Sequence, residues 1–214
     1  MAKQPIQEEE LLSGSLEQTN EWYALAKISG IKLCDALRKQ FDFDAISLMP
    51  TNLYGQNDYY DSNKSHVIPA LIKKIYEAKI NNLDHVVCWG SGEPKREFLY
   101  VDDLANACIF VLESWDPKSE NAPRKNNNDI LSYLNVGTGI DIKIKSLVSL
   151  IAEKIGFNGE IHWDKDKPDG TPRKLLDVSR LNDLGWRPEI SFQDGIDRTI
   201  NFYYKELEDK VLRN

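Results

Sequence analysis

Tyr23 and Lys27 stand four residues apart in the stretch Asn20-Glu21-Trp22-Tyr23-Ala24-Leu25-Ala26-Lys27-Ile28-Ser29-Gly30. At the start of a helical pattern that spacing projects both side chains from one face. A phenol is a poor proton donor at neutral pH, with a reference pKa of about 10. An ammonium one turn away favours the phenolate and makes the hydroxyl a usable acid or base. Spacing alone leaves a second reading open, a half-buried tyrosine with a lysine stem lying against it.

The elements around this pair alternate between strand and helix, the pattern of an α/β protein. Residues 1–19 show no clear period and read as a loop. From Tyr23 to Gln40 a helix is expected with Tyr23, Ala26, Gly30, Leu33 and Leu37 on one face. Ala24, Ile28 and Ile31 lie on the other face, so this helix needs a second partner, for which a homodimer contact is the expected one and a neighbouring helix of the same chain the alternative. Ala45–Met49 reads as a strand and Pro50–Gly55 as the loop at its carboxyl end, where open α/β sheets bind ligands. Asn57–Lys64 is a polar segment, and His66–Lys79 is a helix with Ile68, Leu71, Ile72 and Ile75 inward.

Further strands are expected at His85–Trp89, closed by Gly90-Ser91-Gly92, and at Phe98–Val101, followed by a helix capped by Asp102 or Asp103 and running to about Trp115. Residues 116–129 read as a surface loop and Tyr133–Val136 as a strand. The stripe Ile144, Leu147, Val148, Ile151 and Ile155 marks a helix stopped by Gly156. A strand near Glu160–Trp163, a basic loop Lys165–Lys174 and a last helix from Phe192 to Leu207 complete the chain.

With 214 residues, 41% of them hydrophobic, the chain can bury a sizeable core. A net charge of −7 argues against a nucleic-acid partner held by bulk electrostatics. Cys34, Cys88 and Cys108 lack metal-ligand spacing and sit in apolar runs, so they read as buried free thiols of a reducing compartment. No metal and no membrane segment is expected: no run approaches about 18 apolar residues, and Met1–Glu10 has no apolar signal region. The expected location is cytoplasmic.

Several runs, taken in order, resemble the extended short-chain dehydrogenase/reductase family. They are Leu16–Glu21, Tyr23–Lys27, Met49–Gly55, Ser65-His66-Val67-Ile68-Pro69-Ala70, Trp89–Gly92, Arg96-Glu97-Phe98, Val101-Asp102-Asp103, Asn135–Gly139 and Lys167-Pro168-Asp169-Gly170-Thr171-Pro172-Arg173-Lys174. The resemblance is strongest to members that epimerise and reduce GDP-4-keto-6-deoxy-D-mannose with NADP(H). It implies a Rossmann-type parallel sheet, present only in part, with a smaller α/β lobe for the substrate. Residues 1–55 would belong to the NADP-binding domain and 56–214 mainly to the substrate lobe, with segments returning to the first.

The resemblance makes Tyr23 the proton donor to a sugar C4 oxygen, with Lys27 tuning it and holding the nicotinamide ribose. Pro50, Thr51, Asn52 and Leu53 would border the nicotinamide. His66 would be the acid of the epimerisation steps, in which protons beside the ketone are removed and returned, and would also touch the cofactor; a histidine suits proton movement near neutral pH. Without its flanks His66 would read as a helix-start residue, and His85 and His162 carry no matching flank. Lys74, Trp89, Arg96 and Asp169 match substrate contacts, two cations for a diphosphate, a flat ring, and an acceptor for sugar hydroxyls. A packed Trp89 and a surface Arg96–Glu97 ion pair are the plain alternatives.

No G-x-G-x-x-G turn occurs. The family's partner serine and epimerisation cysteine would lie upstream of Met1, so the expectation is the C-terminal two-thirds of such an enzyme, with little turnover alone. Two alternatives remain open: another nucleotide-sugar epimerase or dehydratase of the family, or a non-catalytic sugar-nucleotide-binding remnant.

Overall fold

The computed structural model describes residues 2–61 and 65–209; within Asn57–Lys64, the last three residues lie outside that set. The elements are α1 (Glu21–Phe41), β1 (Ser47–Pro50), β2 (Asn52–Tyr54), α2 (Val67–Ile80), β3 (His85–Trp89), β4 (Lys95–Tyr100), α3 (Val101–Ser114), β5 (Tyr133–Val136), β6 (Asp141–Lys143), α4 (Ile144–Ile155), β7 (Glu160–Asp164), β8 (Arg173–Lys174), α5 (Ser179–Asp183) and α6 (Phe192–Glu208). The fold class is α/β, as expected. Two compact units share the chain: residues 1–51, 104–139 and 175–187 form the first, and 52–103, 140–174 and 188–214 the second.

In the first unit β1 pairs in parallel with β5, Ser47 opposite Tyr133 and Pro50 opposite Val136. Residues 1–19 are more ordered than their sequence suggested. They carry short 3₁₀ turns at Glu8–Glu10 and Gln18–Asn20, and Ile6 bridges to Leu176. Glu8 is buried, accepting from the Asn135 amide at 3.0 Å and pairing with Arg180. A polar residue fixed by a partner 172 positions away leaves no local pattern to read.

Both apolar faces expected of α1 are present, but none of its residues is buried. Ala24, Ile28 and Ile31 are half-buried, while Tyr23, Ala26, Gly30 and Leu33 are open to solvent. The helix ends at Asp42, in the left-handed region at φ 54°.

In the second unit β4 is shared. Its Phe98–Tyr100 half pairs in parallel with β2, and its Lys95–Glu97 half pairs antiparallel with β6, with β8 alongside. Residues 52–54 are therefore strand rather than loop. β3 and β7 form a separate parallel pair over five residues. The core lies between α2, α4 and α6: Ile68, Leu71, Ile72 and Ile75 are buried with Leu147, Val148, Ile151, Ile155, Ile196 and Ile200. Gly156 ends α4 at φ 74°, its amide bonded to Ala152 and Glu153. An L-residue would be strained in that left-handed conformation, and glycine is not.

Two local expectations fail. α3 starts at Val101, so Asp102 and Asp103 lie in its first turn, and the buried Asp103 carboxylate accepts from the Glu189 and Ile190 amides at 3.1 Å each. Of the three free cysteines Cys88 is buried, Cys34 half-buried and Cys108 exposed; Cys108 lies on the solvent side of α3 beside the exposed Ile109 and Leu112. Among the described residues no helix is long and apolar enough to cross a membrane.

Ile151→Ala, which deletes a fully buried side chain, is expected to lower unfolding free energy by about 2–5 kcal/mol in urea titrations. Leu112→Ala, at an exposed position of α3, should change it by less than about 0.5 kcal/mol.

Candidate active site

Tyr23 sits in the first turns of α1, 62% exposed, and the Lys27 ammonium lies 5.4 Å from its ring centroid. The four-residue spacing therefore brings the two groups together as the helix repeat requires. In the same unit β1 ends at Pro50, and the Thr51 amide donates to Val136 at 2.9 Å, carrying the ladder one residue past the strand. Thr51 is buried.

The remaining expected residues belong to the second unit. Asn52 is fixed by its side-chain amide, which donates to the Glu97 carbonyl at 2.7 Å, and Leu53 is half-buried in β2. His66 is the N-cap of α2, exposed, with extended backbone and no side-chain capping bond. Its ring is therefore uncommitted by the helix. Asp58, missed in the sequence, interacts with it: burial pushes the Asp58 carboxyl up, and the Tyr59 amide that donates to it at 2.8 Å, then the charge of His66, oppose the rise. Nothing local in the sequence signals that influence.

β3 gathers a second group. Lys74 on α2 donates to the Val87 carbonyl at 2.9 Å. Trp89, the last residue of β3, is 66% exposed rather than packed, and the Lys167 ammonium lies 5.7 Å from its ring centroid. Both Asp169 oxygens face Ser91, one accepting from its amide at 2.6 Å and the other from its hydroxyl at 2.7 Å. These bonds hold the Asp169 carboxyl below the usual range.

Arg96 is half-buried, its guanidinium donating to the Lys95 carbonyl at 2.8 Å, and desolvation lowers its pKa. Lys174 is reachable by solvent yet surrounded by protein. Desolvation, then the neighbouring Arg96 charge, lower its pKa. Among the described residues neither cation forms an ion pair. The charge of the buried Glu97 opposes the Lys174 shift.

The model of the NAD dependent epimerase/dehydratase family matches residues 1–123. This chain belongs to that family. It is 50% identical over 206 residues to GDP-L-fucose synthase 1 of Arabidopsis thaliana, covering 96% of this chain and 60% of the relative. It is also 50% identical over 208 residues to the GDP-L-fucose synthase of Escherichia coli, covering 97% of this chain and 64% of the relative. The chain thus spans about three-fifths of the length of these curated relatives. Among solved structures, a GDP-L-fucose synthetase from Naegleria fowleri bound to NADP superposes with a TM-score of 0.85 at 25% identity, covering 99% of this chain and 64% of that one.

Within this epimerase/dehydratase fold one cavity, of about 300 Å³, is lined by Asp35, Arg38, Lys39, Asp42, Lys118, Lys125, Ile130 and Ser132. It begins roughly 18 Å further along α1 than Tyr23, at about 1.5 Å per residue, and takes in none of the expected site residues. Lys118 pairs there with Asp42, and Arg38 with Asp44 at 2.6 Å.

Two measurements check this geometry. His66→Asn removes the smaller of the two influences that oppose the Asp58 shift, so the Asp58 carboxyl should titrate slightly higher by carboxyl-carbon NMR. Gly90 has φ 77°, and an added Cβ would lie 2.3 Å from an Asp169 oxygen. Gly90→Ala should therefore cost more than the roughly 1–2 kcal/mol of a left-handed alanine, read from denaturant midpoints.

Proposed function

We propose that this chain carries the chemistry of the GDP-L-fucose synthases, NADPH-dependent epimerisation and reduction of GDP-4-keto-6-deoxy-D-mannose. The observation that carries this reading is 50% identity to the Arabidopsis and Escherichia coli relatives over 206 and 208 residues, which spans both units. The exposed donor pair Tyr23 and Lys27 suits ribose hydroxyls, and backbone at the carboxyl end of β1 suits an edge-on ring. These groups fit NADP(H), with Lys27 and residues 50–53 as its holders on this chain. The cofactor, when bound, supplies a hydride to the sugar carbonyl carbon.

Tyr23 then gives its proton to the oxygen that becomes the alcohol, and Lys27 stabilises the phenolate left behind. His66, free of its helix and near Asp58, is the acid that gives protons to the carbons beside the ketone, an inversion that also needs a base on the opposite ring face. Arg96 and Lys174 hold diphosphate oxygens, Lys74 adds positive charge, and Trp89 offers its open face to a flat ring. The exposed Trp22, Leu25, Leu33 and Phe41 of α1 support a homodimer, and three free cysteines support a cytoplasmic location.

The test has two parts. Calorimetric titration of the full chain with GDP should show binding, weakened about tenfold or more by Arg96→Ala, the loss of one charge-assisted contact. Joined to the part of the Escherichia coli relative that it does not span, the chain should oxidise NADPH with the keto-sugar. Tyr23→Phe should lower that rate by about 10²–10⁴-fold. A joined protein that folds, binds GDP-sugar and keeps full turnover with Phe at position 23 would remove Tyr23 from the chemistry.

A further inference from the structure

The segment of residues 165–174 is fixed at three places. At its start the Asp166 amide donates to the Asp164 carboxylate at 3.2 Å, and the Lys167 amide to the Asp164 carbonyl at 3.3 Å. At its end the Lys95 amide donates to the Pro172 carbonyl at 2.9 Å, and β8 pairs with β4. Between these anchors the hold is Asp169, through its two bonds to Ser91.

Ser91 is itself fixed. Its hydroxyl accepts from the Glu93 amide at 3.2 Å, and Gly90 before it continues the β3 ladder through Asp164 at 2.8 Å. Gly90 has no Cβ where one would meet the Asp169 carboxylate, so the approach depends on glycine at that position. Hydrogen bonds from an amide and a hydroxyl to an ionised carboxylate are among the stronger ones.

We propose that Ser91 and Asp169 form a latch that seats this loop on the end of β3. Asp169 is then a positioning residue for the nucleotide site, acting through Ser91 rather than by accepting from a sugar hydroxyl. The loop carries what the latch positions. Lys167 lies over the Trp89 ring, and Gly170, at φ 69°, passes beside Arg96, whose Nη2 is 3.5 Å from where a Cβ would sit. With the latch open, residues 166–171 keep only their ends, so Lys167 leaves Trp89 and the loop leaves Arg96. The inference rests on the nucleotide-binding role proposed above.

A double-mutant cycle on the full chain separates a latch from a direct contact, with GDP as the calorimetric probe and hydrogen exchange of residues 166–171 as an independent readout. Ser91→Ala and Asp169→Ala should each weaken GDP binding three- to tenfold, and the double variant should be no worse than either single one. Both should speed exchange of the loop amides. Ser91→Thr, which keeps the hydroxyl, should stay within twofold of the parent in both readouts.

If the two losses multiply in the double variant, Asp169 touches the ligand directly and the latch role is overturned. It is equally overturned if Ser91→Ala changes neither binding nor exchange. Failure of the parent chain to bind GDP counts against the nucleotide reading. Exchange alone then judges the latch: faster exchange in both alanine variants upholds it, and unchanged exchange overturns it.

Discussion

A carboxylate taken out of water must be paired, and the first unit is built around one. Glu8 is buried, bonded to the Arg180 guanidinium and to the backbone amide of Asn135 in β5. Glu9 shares the same guanidinium at 2.5 Å, and that bond holds its carboxyl below the usual range while the two carboxylates raise Arg180. Removing Arg180 would leave Glu8 an uncompensated buried charge, a far larger loss than breaking a surface pair, whereas Arg180 without Glu8 keeps Glu9. The pairing ties three distant segments together. Asn135 completes the tie by donating to the Ile6 carbonyl at 2.9 Å and to the Asp177 carbonyl at 3.0 Å. β5 is thereby held as the neighbour of β1, whose carboxyl end presents Pro50 and Thr51.

The second unit obeys a different constraint. Its core is mostly apolar, with α2 and α4 turning isoleucine and leucine stripes toward one another, and its buried polar groups are few, Glu97 in β4, Asp103 in α3, and Thr199 and Glu206 in α6. Rigid packing beneath β3 and β4 leaves the residues at their ends as the variable part, the usual division between scaffold and functional loop. Trp89, Ser91 and Arg96 all occupy such ends.

Legibility in the sequence followed the reach of the interactions involved. α4 was readable because its stripe and its glycine stop are both local, and α2, β3 and β5 were readable for the same reason. β6, β8 and α5 were not, because two to five residues carry no period and exist only through a partner strand or helix. The order of residues 4–9 was invisible because it depends on Arg180. Cys108 was misplaced because an apolar run in a helix says nothing about which face is open. In the candidate site, the Tyr23–Lys27 proximity follows from the helix repeat and was legible. The two bonds between Asp169 and Ser91, and the bare Cα that Gly90 must present to the carboxylate, arise from segments 78 residues apart and were not.

The acidic net charge makes the remaining question one of which cations stay unneutralised. Lys143 and Lys145 both bond Glu93 and hold its carboxyl down to about 2. Arg173 is taken by Asp141 and Lys154 by Asp197. Arg96, Lys174, Lys167 and Lys74 are in no ion pair among the described residues; they meet carbonyls, an aromatic ring or one another. Around Lys174 the neighbouring charges are mixed: beyond desolvation, the Arg96 guanidinium lowers its pKa and the buried Glu97 raises it.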